Sequence, residues 1–259
     1  MCLGSIRKIL TYQTFIIMDY NFYNYSPNEP KTTVRERSSA FPALMSKVYL
    51  WMTLALAITG LTAYYVVGNE QLFYSVIGNQ AVFWSLLIGE LALVWILSAC
   101  INKLSFPVAG LMFALYSILN GATLSVILFA YTMESVATTF FVTAGTFGAM
   151  SLFGAVTKRD LSGVGRFLYM ALIGLIIATI VNIFVASDIF SWALTYVGVF
   201  IFCGLTAYDT QKMKEILRQS EGLGETNLLK IALLCSLSLY LDFINLFLYL
   251  LRIFGGRRN

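Results

Sequence analysis

Three carboxylates stand where the surrounding sequence is apolar: Glu90, Asp209 and Asp242. A charge near the centre of a bilayer costs at least about 2.5–3.5 kcal/mol on insertion scales. Acids placed there point to an ion pathway, a proton relay or a cation site. Asp242 sits in Leu239-Tyr-Leu-Asp-Phe-Ile-Asn245, twelve residues after Lys230. At about 1.5 Å rise per residue, that is roughly 18 Å into a helix beginning at the lysine. Ser238, Asn245 and Tyr249, at i−4, i+3 and i+7, share its face, and that face is expected to turn into the protein. Asp209 sits in Thr206-Ala-Tyr-Asp-Thr-Gln211, near the end of the preceding apolar run. Taken alone it also reads as an interfacial acid paired with Lys212 at i+3. Two acids on consecutive antiparallel helices change the balance. Facing the bundle axis, they come within hydrogen-bonding reach, and like charges in a low dielectric do not both ionise cheaply. Such a pair shares a proton and titrates as a unit. Deprotonated, it offers oxygens to a hard cation such as Ca²⁺. Glu90 lies near the middle of its own run and is expected to face inward, as a protonated buried acid or as part of an ion path. Asp209, Asp242 and Glu90 are therefore the candidate Ca²⁺ ligands, and Asn245 joins Glu90 as a candidate ion-path residue.

Other chemistry is scarce. The chain has no histidine, which removes the commonest general base and any His-based metal or triad chemistry. Its cysteines are Cys2, Cys100, Cys203 and Cys235. Three lie in apolar runs and none has metal-ligand spacing, so they read as small apolar fillers, with neither a disulfide framework nor a zinc site. Gly163 and Gly165 form no phosphate-binding pattern, since no strand precedes them. No cofactor and no nucleic-acid partner is expected.

The elements that must position the acids follow from composition. The chain is 259 residues long, 59% hydrophobic and only 12% charged, with a mean hydropathy of +0.78. A soluble domain carries about a quarter charged residues, so lipid must be the solvent here. Seven apolar runs follow Lys47: Val48–Val67, Ala81–Ile101, Val108–Ala130, Val136–Val156, Phe167–Val185, Trp192–Tyr208 and Ile231–Leu251. A helix needs about 20 apolar residues to cross the hydrocarbon core, and most of the runs come close. The sixth is shorter but can continue as helix through Thr210–Leu217. Backbone groups cannot stay free in lipid, so each run is predicted helical, and the alternating segments of a membrane barrel are not seen. The expected fold is an all-α polytopic membrane protein. Residues 1–46 read as an extended, disordered tail containing Pro27, Pro30 and Pro42, with Met18 as an alternative start. Residues 47–255 form the transmembrane domain and 256–259 a short basic tail.

Charge alternates from loop to loop. Lys31, Arg35, Arg37 and Lys47 precede the first run. Lys103 lies in the second loop, Lys158, Arg159 and Arg166 in the fourth, and Lys212, Lys214, Arg218 and Lys230 in the sixth. The first, third and fifth loops carry Glu70, Glu134 and Asp188 but no Lys or Arg. The positive-inside rule then predicts a cytoplasmic N-terminus. If the seventh run spans, Arg252, Arg257 and Arg258 lie outside; if it dips and returns, inside. Its continuous length favours spanning. Gly145, Gly148 and Gly154, and Gly121, Ala122 and Ser125, are small residues expected at close helix contacts.

The chain resembles the Bax inhibitor-1 family over roughly residues 45–255. The resemblance rests on Gly204-Leu-Thr-Ala-Tyr-Asp-Thr-Gln-Lys-Met-Lys214, Leu239-Tyr-Leu-Asp-Phe-Ile-Asn-Leu-Phe-Leu248, Phe147 to Gly165 and Asn120-Gly-Ala-Thr-Leu-Ser125. It implies a seven-helix bundle with the last helix at its centre. It implies a pH-gated calcium leak with Asp209 and Asp242 as sensor pair and gate, and it places Glu90 near the ion path. Members often carry an arginine near the inner end of the second helix that latches the acid pair. Here those positions are Cys100 and Ile101, and Lys103 is the candidate basic partner. The short C-terminal end resembles bacterial-type members, which implies the inner membrane.

Two other functions bear on the same residues. Intramembrane aspartyl proteases also place an Asp after Tyr on the sixth helix and another on the seventh, and Tyr208-Asp209 fits. Leu239-Tyr-Leu-Asp242 lacks both glycines of their Gly-x-Gly-Asp pattern, and Pro42-Ala-Leu44 stands before the first helix rather than near the last, so no enzyme is expected. The runner-up is a regulatory membrane protein that transports nothing and binds a membrane protease or stress-response partner, although the sequence carries no docking motif for one.

Overall fold

A computed structural model describes residues 37–220 and 224–256. The apolar runs fold as helices, as the need to satisfy every backbone group within lipid requires. They are α1 (Arg37–Gly68), the short α2 (Glu70–Phe73) leading into a π-helical turn at Tyr74–Gly78, α3 (Gln80–Cys100), α4 (Phe106–Ala130), α5 (Met133–Val156), α6 (Ser162–Val185), α7 (Asp188–Gln219) and α8 (Glu225–Phe254). Seven of them, all but α2, are long and apolar enough to cross a membrane. Large apolar side chains such as Leu111, Phe141, Phe184 and Phe200 are exposed on the outside, the surface expected where the solvent is acyl chain. The protein is an integral membrane protein of all-α fold.

Polar residues between the runs set the helix starts. Asn69, Asn79, Thr132 and Ser187 each accept a bond from a backbone N–H of the following first turn, satisfying donors the helix cannot. Asp160 accepts the Ser162 N–H at 2.8 Å, the first residue of α6. The Ser162 side chain and backbone, with Arg166 behind them, hold this exposed carboxyl below the usual carboxylate range. As the sixth run suggested, α7 continues past Tyr208 into the interface.

Two boundaries differ from expectation. The helix α1 takes in residues 37–46, which the sequence reading assigned to the extended tail. Pro42 is the sixth residue of α1; lacking an N–H it forfeits the one bond to the carbonyl four residues back, and the helix continues past it. The rest of that tail, with Pro27, Pro30 and the alternative start at Met18, lies outside the described residues, as do residues 257–259 of the basic tail.

The seventh run spans. Its helix α8 is continuous to Phe254, and the chain beyond is clasped to the α4–α5 turn. Gly256 donates its N–H to Ser135 Oγ at 2.9 Å, and Thr132 donates its N–H to the Gly256 carbonyl at 3.1 Å. After the crossings of α1, α3 and α4 that turn lies on the face opposite the N-terminus, so the two ends of the domain lie on opposite faces.

The last helix is central. In the most apolar stretch of α8, 94% of residues are buried, against 22–56% for the other six spans. Helices α1, α4, α5 and α7 pack directly on it, while α3 backs α4 and α6 backs α7. An acid on α8 is therefore surrounded by protein whichever way it points.

Candidate functional site

The segment of α7 that carries Asp209 is held by glycine contacts on both sides. A Cβ on Gly154 of α5 would fall on the Ala207 carbonyl, and one on Gly165 of α6 would lie about 2.4–2.5 Å from the Tyr208 ring. Gly204 of α7 in turn receives the Leu168 side chain. These close approaches bring α5 and α6 hard against residues 204–208, the small-residue packing that membrane helices use.

The next side chains each bind a different neighbour. Asp209 Oδ1 accepts the Tyr169 hydroxyl of α6 at 3.2 Å, and its Oδ2 accepts Ser238 of α8 at 2.9 Å. The Thr210 hydroxyl lies 3.0 Å from Ser151 of α5, which lies 2.5 Å from the Tyr49 hydroxyl of α1. Gln211 takes the Leu161 N–H and donates to the Arg159 carbonyl, both at 2.8 Å, fixing the α5–α6 loop. Lys214 donates to the Ala155 carbonyl at 2.5 Å. The Asp-Thr-Gln sequence is thus a junction tying α7 to α1, α5, α6 and α8.

Asp242 faces this junction from the centre. It is fully buried, and Asp209 is 5% exposed. Neither Asp242 carboxyl oxygen receives a bond from an N–H or hydroxyl donor, and the group within hydrogen-bonding reach of it is the Asp209 carboxyl. Two carboxylates cannot bond to each other without a proton; with one proton shared, they can. An unsolvated acid whose available partner is another acid is costly unless that proton is present. Beside Asp209, a crevice of about 20 Å³ is lined by Asp209, Lys212, Ser238 and Cys235 among others, room for about one water.

The other sequence candidates lie apart from the pair. Glu90 is fully buried and accepts the Thr123 hydroxyl at 2.5 Å, while its second oxygen has no donor. On the same side the Tyr240 ring packs edge-on against Phe113 and Tyr116 of α4, with its hydroxyl 2.7 Å from Thr59 of α1. Tyr240 and Asp242 are two residues apart, so they point to nearly opposite sides of α8, and Glu90 belongs to the α1–α4 side. Among the described residues no three Asp, Glu, His or Cys side chains come together as a metal cluster. Asn245 is buried on α8 and donates to the Leu241 carbonyl at 2.8 Å. Lys103 is exposed on the α3–α4 turn. The basic residue that shares the crevice with Asp209 is Lys212, which the sequence offered only as a surface partner of Asp209. Tyr169 is not legible in the sequence, because one tyrosine in an apolar run carries no signal of its own. Ser238 was placed on the face of Asp242 but bonds to Asp209.

Residues 42–259 match the family described as Inhibitor of apoptosis-promoting Bax1. The chain belongs to the Bax inhibitor-1 family. It is 52% identical over 214 residues to the inner membrane protein YbhL of Escherichia coli K12, covering 83% of this chain and 92% of that protein. A Deinococcus radiodurans protein is 43% identical over 213 residues, 82% of this chain and 90% of the relative. A Borreliella burgdorferi protein is 41% identical over 218 residues, 83% and 92%. In this Bax inhibitor-1 chain the positions expected for an arginine latch hold half-buried Cys100 and buried Ile101. Neither supplies a positive charge.

Proposed function

We propose that the chain is a pH-sensitive cation leak pathway, conducting Ca²⁺, gated by Asp209 and Asp242. The observation that carries this reading is a buried acid on the central helix facing another acid on α7, with no other donor. While they share a proton, the two carboxyls hold α7 and α8 together. Loss of that proton leaves two like charges in a poorly solvated space, and the repulsion drives the helices apart. Flux therefore rises as pH rises. The oxygens near the opening pair are the two carboxylates, the Tyr169 hydroxyl and the Ser238 hydroxyl. Ca²⁺ prefers six to eight oxygens, so these few hold it weakly. That favours passage, since conduction needs binding loose enough to release.

Glu90, with its unpartnered oxygen, is a third acid on the path, reached on the far side of α8, and Asn245 is the buried amide one turn beyond Asp242 on that helix. The membrane is the bacterial inner membrane with the N-terminus cytoplasmic; the name of the Escherichia coli relative and the loop charges support this. No enzymatic activity is proposed. A crevice with room for one water is too small for a peptide strand, which argues against an aspartyl protease.

The test is Ca²⁺ entry into liposomes holding the purified chain and a trapped dye, measured from acidic to alkaline pH. Entry that rises with pH over protein-free liposomes supports the reading; entry no greater than in protein-free liposomes overturns it.

A further inference from the structure

We propose that the groove between α1 and α5 is a binding site for an acyl chain of an anionic phospholipid. Both helices pack on α8, but they part from each other and leave a cavity of about 950 Å³ floored by Phe243. That is at the upper end of the roughly 300–1,000 Å³ of sites that enclose small molecules. Gly60 and Gly148 line it, and a Cβ on either would meet nothing within 4 Å. Its length along α5, from Phe140 to Ala155, is about 22 Å at 1.5 Å per residue.

The lining decides what fills it. The wall is nearly all carbon, and the three hydroxyls that line it are engaged: Tyr49 and Ser151 lie 2.5 Å apart, and Thr53 donates to the Tyr49 carbonyl at 2.8 Å. Water gains nothing in such a space, and apolar cavities stay dry. The groove lies within the membrane-spanning part of α1 and α5, so hydrocarbon chains are the material at hand.

The headgroup is specified at the end nearer the N-terminal face. There Lys214 sits on the Ala155 carbonyl, and Ala155 lines the groove. Lys158 and Arg159 follow, both exposed. The nearby acid, Asp160, is engaged with Ser162 and Arg166. Three cations where an apolar groove meets the interface match a phosphate-bearing, net anionic headgroup. A neutral lipid or a helix from a second copy would leave that charge unanswered. Because Phe243 follows Asp242 and Ser151 bonds to Thr210, a lipid seated here touches the neighbours of both aspartates. The binding itself does not rest on the proposed conduction.

The test is native mass spectrometry of the purified full chain mixed with phosphatidylglycerol or phosphatidylcholine of identical acyl chains. At about 1 kcal/mol per basic residue near a charged surface, two or three cations favour the anionic lipid by about tenfold or more. The expected result is retention of phosphatidylglycerol in that excess. The double variant Lys158→Gln/Arg159→Gln, confined to exposed positions, should lose the preference and still retain lipid. Gly148→Leu fills the groove and should lose retention of both lipids. Equal retention of the two lipids by the unaltered chain means ordinary boundary lipid and overturns the proposal. Unchanged retention in a folded Gly148→Leu chain, or a lipid-free dimer that Gly148→Leu dissociates, overturns it as well.

Discussion

At the scale of single residues, the account rests on Asp209 having donors and Asp242 having none. Tyr169 and Ser238 both bond to Asp209, and a hydrogen bond to a charged group contributes about 1.5–3 kcal/mol. Each therefore favours the ionised form and eases opening. Tyr169→Phe and Ser238→Ala should each move the pH midpoint of Ca²⁺ flux upward by about one to two units. Liposome flux at a series of pH values reads this, and a midpoint unmoved by both changes would show that the donors do not act on the gate. The aspartates were legible in the sequence because a carboxylate in an apolar run is expensive wherever it points. Tyr169 was not, because an aromatic with a polar tip is ordinary in such a run, and only the fold brings it to Asp209. Lys103 and Lys212 show the same limit. Both are basic residues in loop or interfacial sequence, and chain position alone does not say which lies beside the pair.

Among the elements, glycine separates packing from mere composition. The helices are apolar on nearly every face, so periodicity cannot tell a contact from a lipid-facing surface. Gly121 and Gly154 are where backbones touch: a Cβ on Gly121 would lie 2.5 Å from the Thr59 carbonyl. Gly145 and Gly148, in the same helix as Gly154, face open space instead, contrary to their expected contact role. Gly165, which belongs to no phosphate motif, admits the Tyr208 ring. Gly154→Val should cost about 1–3 kcal/mol by forcing α5 off α7. Gly145→Ala should be neutral or stabilising by up to about 1 kcal/mol, since a helical glycine is the poorer choice where nothing needs the space. Thermal melts in detergent compare the two; equal losses would mean the α5–α7 contact is not as close as described. Helix extents were largely legible, including the run of α7 beyond Tyr208. The start of α1 was not, because Pro42 reads as a break in the sequence and omits only one backbone bond in the fold.

For the whole molecule, the crossing number and the central helix matter most. An odd number of spans places the ends on opposite faces, and the clasp of Gly256 on Thr132 and Ser135 fixes the far end. In a chain freed of its native cysteines, Glu225→Cys and Gly256→Cys should label from opposite sides of a sealed membrane; labelling from one side would contradict the spanning of α8. That the last helix is central came from family resemblance, since its hydropathy resembles that of its neighbours, and burial by four other helices is visible only in three dimensions. Centrality is what makes Asp242 consequential, because any charge on it must be answered by the surrounding helices. The most direct test is Ca²⁺ flux in liposomes for Asp242→Asn and Asp209→Asn, which keep the side-chain shape but remove one ionisation from the pair. The account predicts that the pH dependence of flux flattens in both variants, while a pH response identical to that of the unaltered chain would contradict it.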